Sequence, residues 1–147
     1  MAWRAYSGTF GLYWGPKKAS QVLTEGAVVD QTDGYITVAA IAVASHIGVS
    51  MKTIAATDSD YASATRIPVQ VPKSPQSKFK VSVLSTDTLL VTHVGTYADL
   101  AGSPVGIDIT IASSADDAAF ITDYIGANEA LVQLNSQKAM QPGIGTA

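Results

Sequence analysis

Between residues 24 and 83 the chain alternates apolar and polar side chains in short runs separated by turn-forming residues, and this constrains the fold more than any other feature. A period of two puts successive side chains on opposite faces of a pleated ribbon, so each run is a strand with one buried and one wet face. In residues 66–72, Ile67, Val69 and Val71 share one face, and Arg66, Pro68 and Gln70 share the other. In residues 78–83, Phe79, Val81 and Val83 oppose Lys78, Lys80 and Ser82. Residues 106–111 repeat the pattern with Ile107, Ile109 and Ile111 inward, residues 120–125 suit a further strand, and residues 129–134 close the series with Ala130, Val132 and Leu134 on one side. Asp33-Gly34, between Val28-Val29 and Tyr35-Ile36-Thr37-Val38, reads as a hairpin because glycine takes the positive φ of a tight primed turn. Pro68 lacks a ladder donor, which predicts a sheet edge or bulge for its strand, and Pro72 and Pro75 then end it.

Helix has little support. There are two glutamates, Glu25 and Glu129, while Gly, Ser, Thr and Val are plentiful. Residues 39–45 are compatible with a single helical turn or a buried strand, and residues 114–119 with a short capped helix. Closely spaced strands with turn signals between them predict an all-β fold, a small β-barrel or sandwich. With 147 residues, 47% of them apolar, one compact domain can bury a real core. The longest apolar run, residues 38–44, is far shorter than the roughly 20 residues of a membrane-spanning helix. No charged region followed by an apolar block marks a signal peptide, so a soluble protein made and used without export is expected. Cysteine is absent, which excludes a disulfide framework, a thiolate nucleophile and Cys-based zinc sites.

The chain divides into an aromatic N-terminal arm (residues 1–22), a β domain (23–135) and a Gly-rich C-terminal tail (136–147). The arm holds five of the eleven aromatic residues, Trp3, Tyr6, Phe10, Tyr13 and Trp14, interleaved with Gly8, Gly11, Gly15 and Pro16. Glycines at that spacing make a poor autonomous helix or strand, yet aromatic rings left in water are unfavourable, so the arm is expected to be buried against something. Aromatics and arginine dominate binding hot spots. The expectation is an arm laid across a neighbouring subunit, with those five rings as anchors and Arg4, Lys17 and Lys18 at the rim. The alternative is that it folds back as a first strand of its own domain. Arg66, Pro68, Lys73, Lys78 and Lys80 form a secondary candidate surface, where lysines would steer a negatively charged partner more than hold it. Residues 1–80 carry eight Lys and Arg against five Asp and Glu, a net +3, while residues 81–147 carry one against seven, a net −6. Such asymmetry can orient a subunit against a charged surface, or vanish when the two halves pack together.

Catalysis finds little footing. His46 and His93 stand alone, no nucleophile elbow, metalloprotease helix or phosphate loop is present, and a non-enzymatic role with no cofactor is expected. Asp58 and Asp60, or Asp116 and Asp117, could offer oxygens to a cation, but a hard cation wants six to eight ligands and turn-forming aspartate is the ordinary reading. Nucleic-acid binding is poorly served by three basic residues on an acidic chain.

The succession of hairpin (Asp33-Gly34), IGVSM (residues 47–51), polar loop (57–65), IPVQVP, VGTYADLAG leading to GIDITIA, and EALVQLN resembles the small capsid decoration, or cement, proteins of tailed bacteriophages. The resemblance covers residues 24–135 and leaves the aromatic arm outside it. It implies a β-barrel or β-tulip-like module on the outer surface of the virion head, made in the host cytoplasm and acting as a homotrimer that ties neighbouring major capsid protein subunits together. Alternatives are a tail-tube or head-completion protein, or a free-standing carbohydrate-binding barrel. Nucleic acid and membrane are not expected partners.

Overall fold

The computed structural model describes residues 3–32, 34–38, 48–83, 88–101, 106–109 and 119–134. Within them run eleven strands: β1 (Arg4–Ser7), β2 (Phe10–Pro16), β3 (Val28–Thr32), β4 (Tyr35–Val38), β5 (Gly48–Ser50), β6 (Arg66–Pro72), β7 (Lys78–Ser82), β8 (Tyr97–Ala101), β9 (Gly106–Asp108), β10 (Ala119–Gly126) and β11 (Glu129–Leu134), with one 3₁₀ turn at Val91–His93. No helix among the described residues is long and apolar enough to cross a membrane. The fold is all-β, as the alternation predicts. Its strands form two antiparallel sheets, of order β1-β7-β11-β10-β8-β9 and β2-β6-β5-β3-β4, and these are not closed into a barrel. Each sheet curls far enough for one parallel bridge, Val83 to Ile107 in the first and Lys17 to Ile36 in the second.

Alternation decides which side chains fill the two cores. Phe79, Val81, Ala130, Val132, Ala119 and Ile121 line the inner face of the first sheet and meet Val28 and Val49 of the second. The opposite face of the second sheet carries Ile67, Val69 and Val71 with Val29 and Ile36, covered by Leu23, Ile54 and Tyr61. The hairpin forms as predicted: Thr32 pairs with Tyr35, and Gly34 holds φ at +86°. The possible helical turn over residues 39–45, His46, Asp116, Asp117, Ile111 and the tail after residue 134 lie outside the described residues.

The N-terminal stretch is not a separate extension. Residues 4–7 pair with β7 in the first sheet and residues 10–16 pair along their whole length with β6 in the second. Two consecutive strands thus pass from one sheet to the other beside β6 and β7, which make the same passage. The corner lies at Gly8 and Ser77. Ser77 Oγ donates to Thr9 O at 2.6 Å and accepts from Thr9 N at 3.1 Å, while Gly8 holds φ at +98° with the position of a Cβ only 2.7 Å from Ser77 Cα. Here glycine is required twice, by the left-handed backbone and by the close approach.

Pro68 corrects the expectation of an edge strand, since β6 runs between β2 and β5. Lys73 N donates to Thr9 O and Lys17 N to Thr65 O, so the odd-numbered residues of both strands carry the β2–β6 hydrogen bonds. The missing N–H of Pro68 therefore points to the β5 side. There β5 has already ended at Ser50; Met51 N still donates to Pro68 O at 3.0 Å, and only the exposed Met51 carbonyl goes without a ladder donor.

Candidate functional site

The same parity sorts the aromatic stretch. Gly11, Tyr13, Gly15 and Lys17 face the core behind the second sheet, and Phe10, Leu12, Trp14 and Pro16 face the other way. Tyr13 lies flat over Gly15, whose added Cβ would sit 2.6 Å from the Tyr13 ring, and its hydroxyl accepts a hydrogen bond from Gln31 Nε2 at 2.8 Å. Glycine in this strand makes room for a ring. Trp3 is 2% exposed and packs on Phe79 with ring centroids 6.1 Å apart, and Phe10 meets the same ring edge-on at 5.0 Å. Three of the five predicted anchors, Trp3, Phe10 and Tyr13, are therefore engaged in their own protomer. Tyr6 and Trp14 are not: they are 60% and 53% exposed, and Leu12, which the sequence reading passed over, is 50% exposed.

Lys17 overturns its assignment to a rim. It is fully buried, with Nζ donating to Tyr61 O at 2.7 Å and to Lys18 O at 3.3 Å, and standing 5.8 Å from the Tyr61 ring centroid. It closes the seam where β2 meets β4 and ties down the loop that covers the second core. The signal was available: read through its glycines, the alternation carries Lys17 inward with Tyr13. Lys18 and Arg4 are exposed, as expected of rim residues.

The secondary cluster splits in two. Arg66 and Pro68 lie beside Trp14, with Pro68 directly opposite Trp14 and Arg66 Nη1 donating to Trp14 O at 3.3 Å. Lys73 is exposed at the end of β6. Lys78 and Lys80 are on the first sheet, paired with Asp123 at 3.0 Å and Glu129 at 3.8 Å, so charges of the basic front half and acidic rear half neutralise each other within the protomer. The Lys78 ammonium, aided by the Thr122 hydroxyl, holds the Asp123 carboxyl below its ordinary value.

The structure thus brings together a patch of Leu12, Trp14, Pro68 and Arg66 on the uncovered part of the second sheet's inner face. It continues into a groove of about 500 Å³ lined by Arg4, Ala5, Glu25, Met51 and Gln70 and floored by Trp3. Gln70 joins the two, being opposite Leu12. A smaller apolar patch, Leu90 and Val91, projects from the 3₁₀ turn.

The remaining polar candidates are engaged in local structure. His93 Nδ1 accepts from Leu90 N at 2.9 Å, Asp58 Oδ2 from Ala55 N at 2.8 Å, and Asp60 pairs with Lys52 at 3.6 Å. No group of three potential metal ligands occurs among the described residues. Asp99 and Asp108, both buried, face each other directly across β8 and β9, and Asp99 Oδ1 has no hydrogen-bond partner among the described residues. Comparison with protein-family models, curated proteins and solved structures finds no match to this chain.

Proposed function

We propose that this chain is a structural virion protein that binds the outer surface of a tailed-phage capsid and stabilises the lattice by bridging neighbouring major capsid subunits, as a homotrimer and without catalysis. The observation that carries the reading is the pairing of exposed Tyr6, Leu12 and Trp14 with a rigid frame, since these side chains stand on two consecutive strands anchored in different sheets. Large apolar side chains held in place lose little conformational entropy when covered, which suits a protein-docking surface. The sequence resemblance names the partner, and an all-β body supports it.

Stabilisation would come from mass action. A ligand that binds only the assembled, expanded lattice adds RT ln(1 + [L]/Kd) per site, about 4 kcal/mol at a thousandfold excess over Kd. Repeated over a shell, this resists rupture by packaged DNA. The test is co-sedimentation of the purified chain with empty heads built from the major capsid protein of the genome that encodes it. Saturable binding to expanded heads, absent from unexpanded ones, is expected; failure to sediment with either would refute the reading.

A further inference from the structure

Among the described residues, strand β2 ends its sheet with an edge that is bridged only beyond its end, at Lys17. Because its odd-numbered residues bond to β6, the N–H and C=O groups of Leu12 and the N–H of Trp14 point away from the sheet, and none has a partner among the described residues. Among the described residues the seam on that side is closed only at its end, where Lys18 N donates to Ile36 O at 2.9 Å; β4 begins at Tyr35, and no described strand runs alongside residues 10–14. An exposed edge bearing large apolar residues is a template for another strand unless it is blocked; here Pro16 blocks the far end and Arg66 Nη1 takes the Trp14 carbonyl, leaving the Leu12 groups and the Trp14 N–H.

Charge selects the occupant. Residues 3–24 hold Arg4, Lys17 and Lys18 and no acidic residue, and residues 61–83 hold Arg66, Lys73, Lys78 and Lys80 and none either. With Lys17 buried and Lys78 and Lys80 already paired, the basic groups along β2 are Lys18 just past its end, Lys73, whose N–H bonds Thr9 O, and Arg66, which donates to Trp14 O, while Glu25 shares the groove with Arg4. A second copy added edge to edge would set this basic rim against itself. We propose that the β2 edge is a strand-acceptor site for one extended segment of a partner protein, apolar over about five residues and flanked by acidic residues. This rests on the docking reading above and names the element through which docking occurs.

The test uses the full chain and synthetic nine-residue peptides with an alternating Val/Thr centre, flanked by Glu, flanked by Lys, or Glu-flanked with alternate backbone N-methylation. Amide exchange and Trp14 emission are followed during titration. The expected result is that the Glu-flanked peptide slows exchange of the Leu12 and Trp14 amides, the Lys-flanked one binds at least about tenfold more weakly, and the N-methylated one does not bind. Equal binding of Glu- and Lys-flanked peptides, or binding without protection of those two amides, would overturn the proposal. So would protection in the peptide-free protein that grows with its own concentration, which would identify a second copy as the occupant. The variant Leu12→Pro removes an outward donor while keeping Trp14 as the reporter and should abolish peptide binding; if it fails to fold, Leu12→Glu sets a like charge against the acidic flanks at the same edge. Loss of peptide binding with head binding intact would sink this inference alone, and the converse would sink the capsid reading alone.

Discussion

Replacing Gly8 by alanine should be among the most damaging single-methyl additions this chain can receive. The backbone there sits at φ +98°, and the new Cβ would stand 2.7 Å from Ser77 Cα and 2.8 Å from Ser77 Oγ. The left-handed conformation costs a non-glycine residue about 1–3 kcal/mol. The overlap is with backbone, so it must be relieved by moving the corner, a further ~1–3 kcal/mol of the overpacking kind. Reduced freedom of the unfolded chain returns about 0.4–1 kcal/mol. The net loss should be ~1–5 kcal/mol. Gly34→Ala is the control, because Gly34 holds φ at +86° with nothing within 4 Å of the Cβ position. It carries the conformational cost alone, so the difference between the two variants isolates the contact with Ser77. Urea unfolding followed by Trp3 emission measures both. If Gly8→Ala is no less stable than Gly34→Ala, the corner as described is wrong.

Lys17→Met keeps the buried stem but leaves the Tyr61 carbonyl without its ammonium donor, and should cost ~1–3 kcal/mol in the same unfolding assay. Asp99→Asn should stabilise by about 1 kcal/mol, since it removes one of two like charges set opposite each other in a buried position, and a lower urea midpoint would count against it. Asp123→Asn should lose at most about 1 kcal/mol at pH 7, because the pair with Lys78 is half open to water. The Asp123 carboxyl has its pKa lowered by folding from an ordinary 3.8, so its contribution is whole above that pH and fades as pH falls further. Wild type and Asp123→Asn should therefore converge in stability only in strong acid, and a gap that stays constant from pH 7 down to strong acid would contradict the pairing.

Where the buried face is strictly apolar, the sequence could be read directly: Ile67, Val69 and Val71, then Phe79 and Val81, and Ala130 with Val132, lie inward as alternation requires. The hairpin that brings Thr32 opposite Tyr35 was legible for a local reason too, Gly34 being free to take a positive φ. The N-terminal stretch was not, because Gly11 and Gly15 break the apolar pattern although they sit in register on the inward face. Gly15 is small because Tyr13 occupies its space, a contact with no signature in spacing alone. Pro68 misled because a strand's missing donor is harmless wherever its neighbour stops short, and the length of β5 is a tertiary fact. Lys78 and Asp123 are 45 residues apart, so their pairing, and the cancellation of charge it brings, belonged to the fold and not to either segment. The candidate site followed the same division. Tyr6 and Trp14 were identifiable as aromatics, but only the packing of the fold separates them from Trp3, Phe10 and Tyr13, and the parity of β2 brings Leu12 into the company of Trp14.

On the proposed reading one short stretch serves two purposes: Trp3 packs in the core on Phe79, and exposed Trp14 is covered by the partner. Acrylamide quenching of the single-tryptophan variants Trp3→Phe and Trp14→Phe, free and bound to expanded heads, tests it most directly. The free protein should show Trp14 emission strongly quenched and Trp3 emission shielded, and binding should shield Trp14 while leaving Trp3 unchanged. Trp14 already shielded in the free chain, or still quenched on the head, would contradict the account.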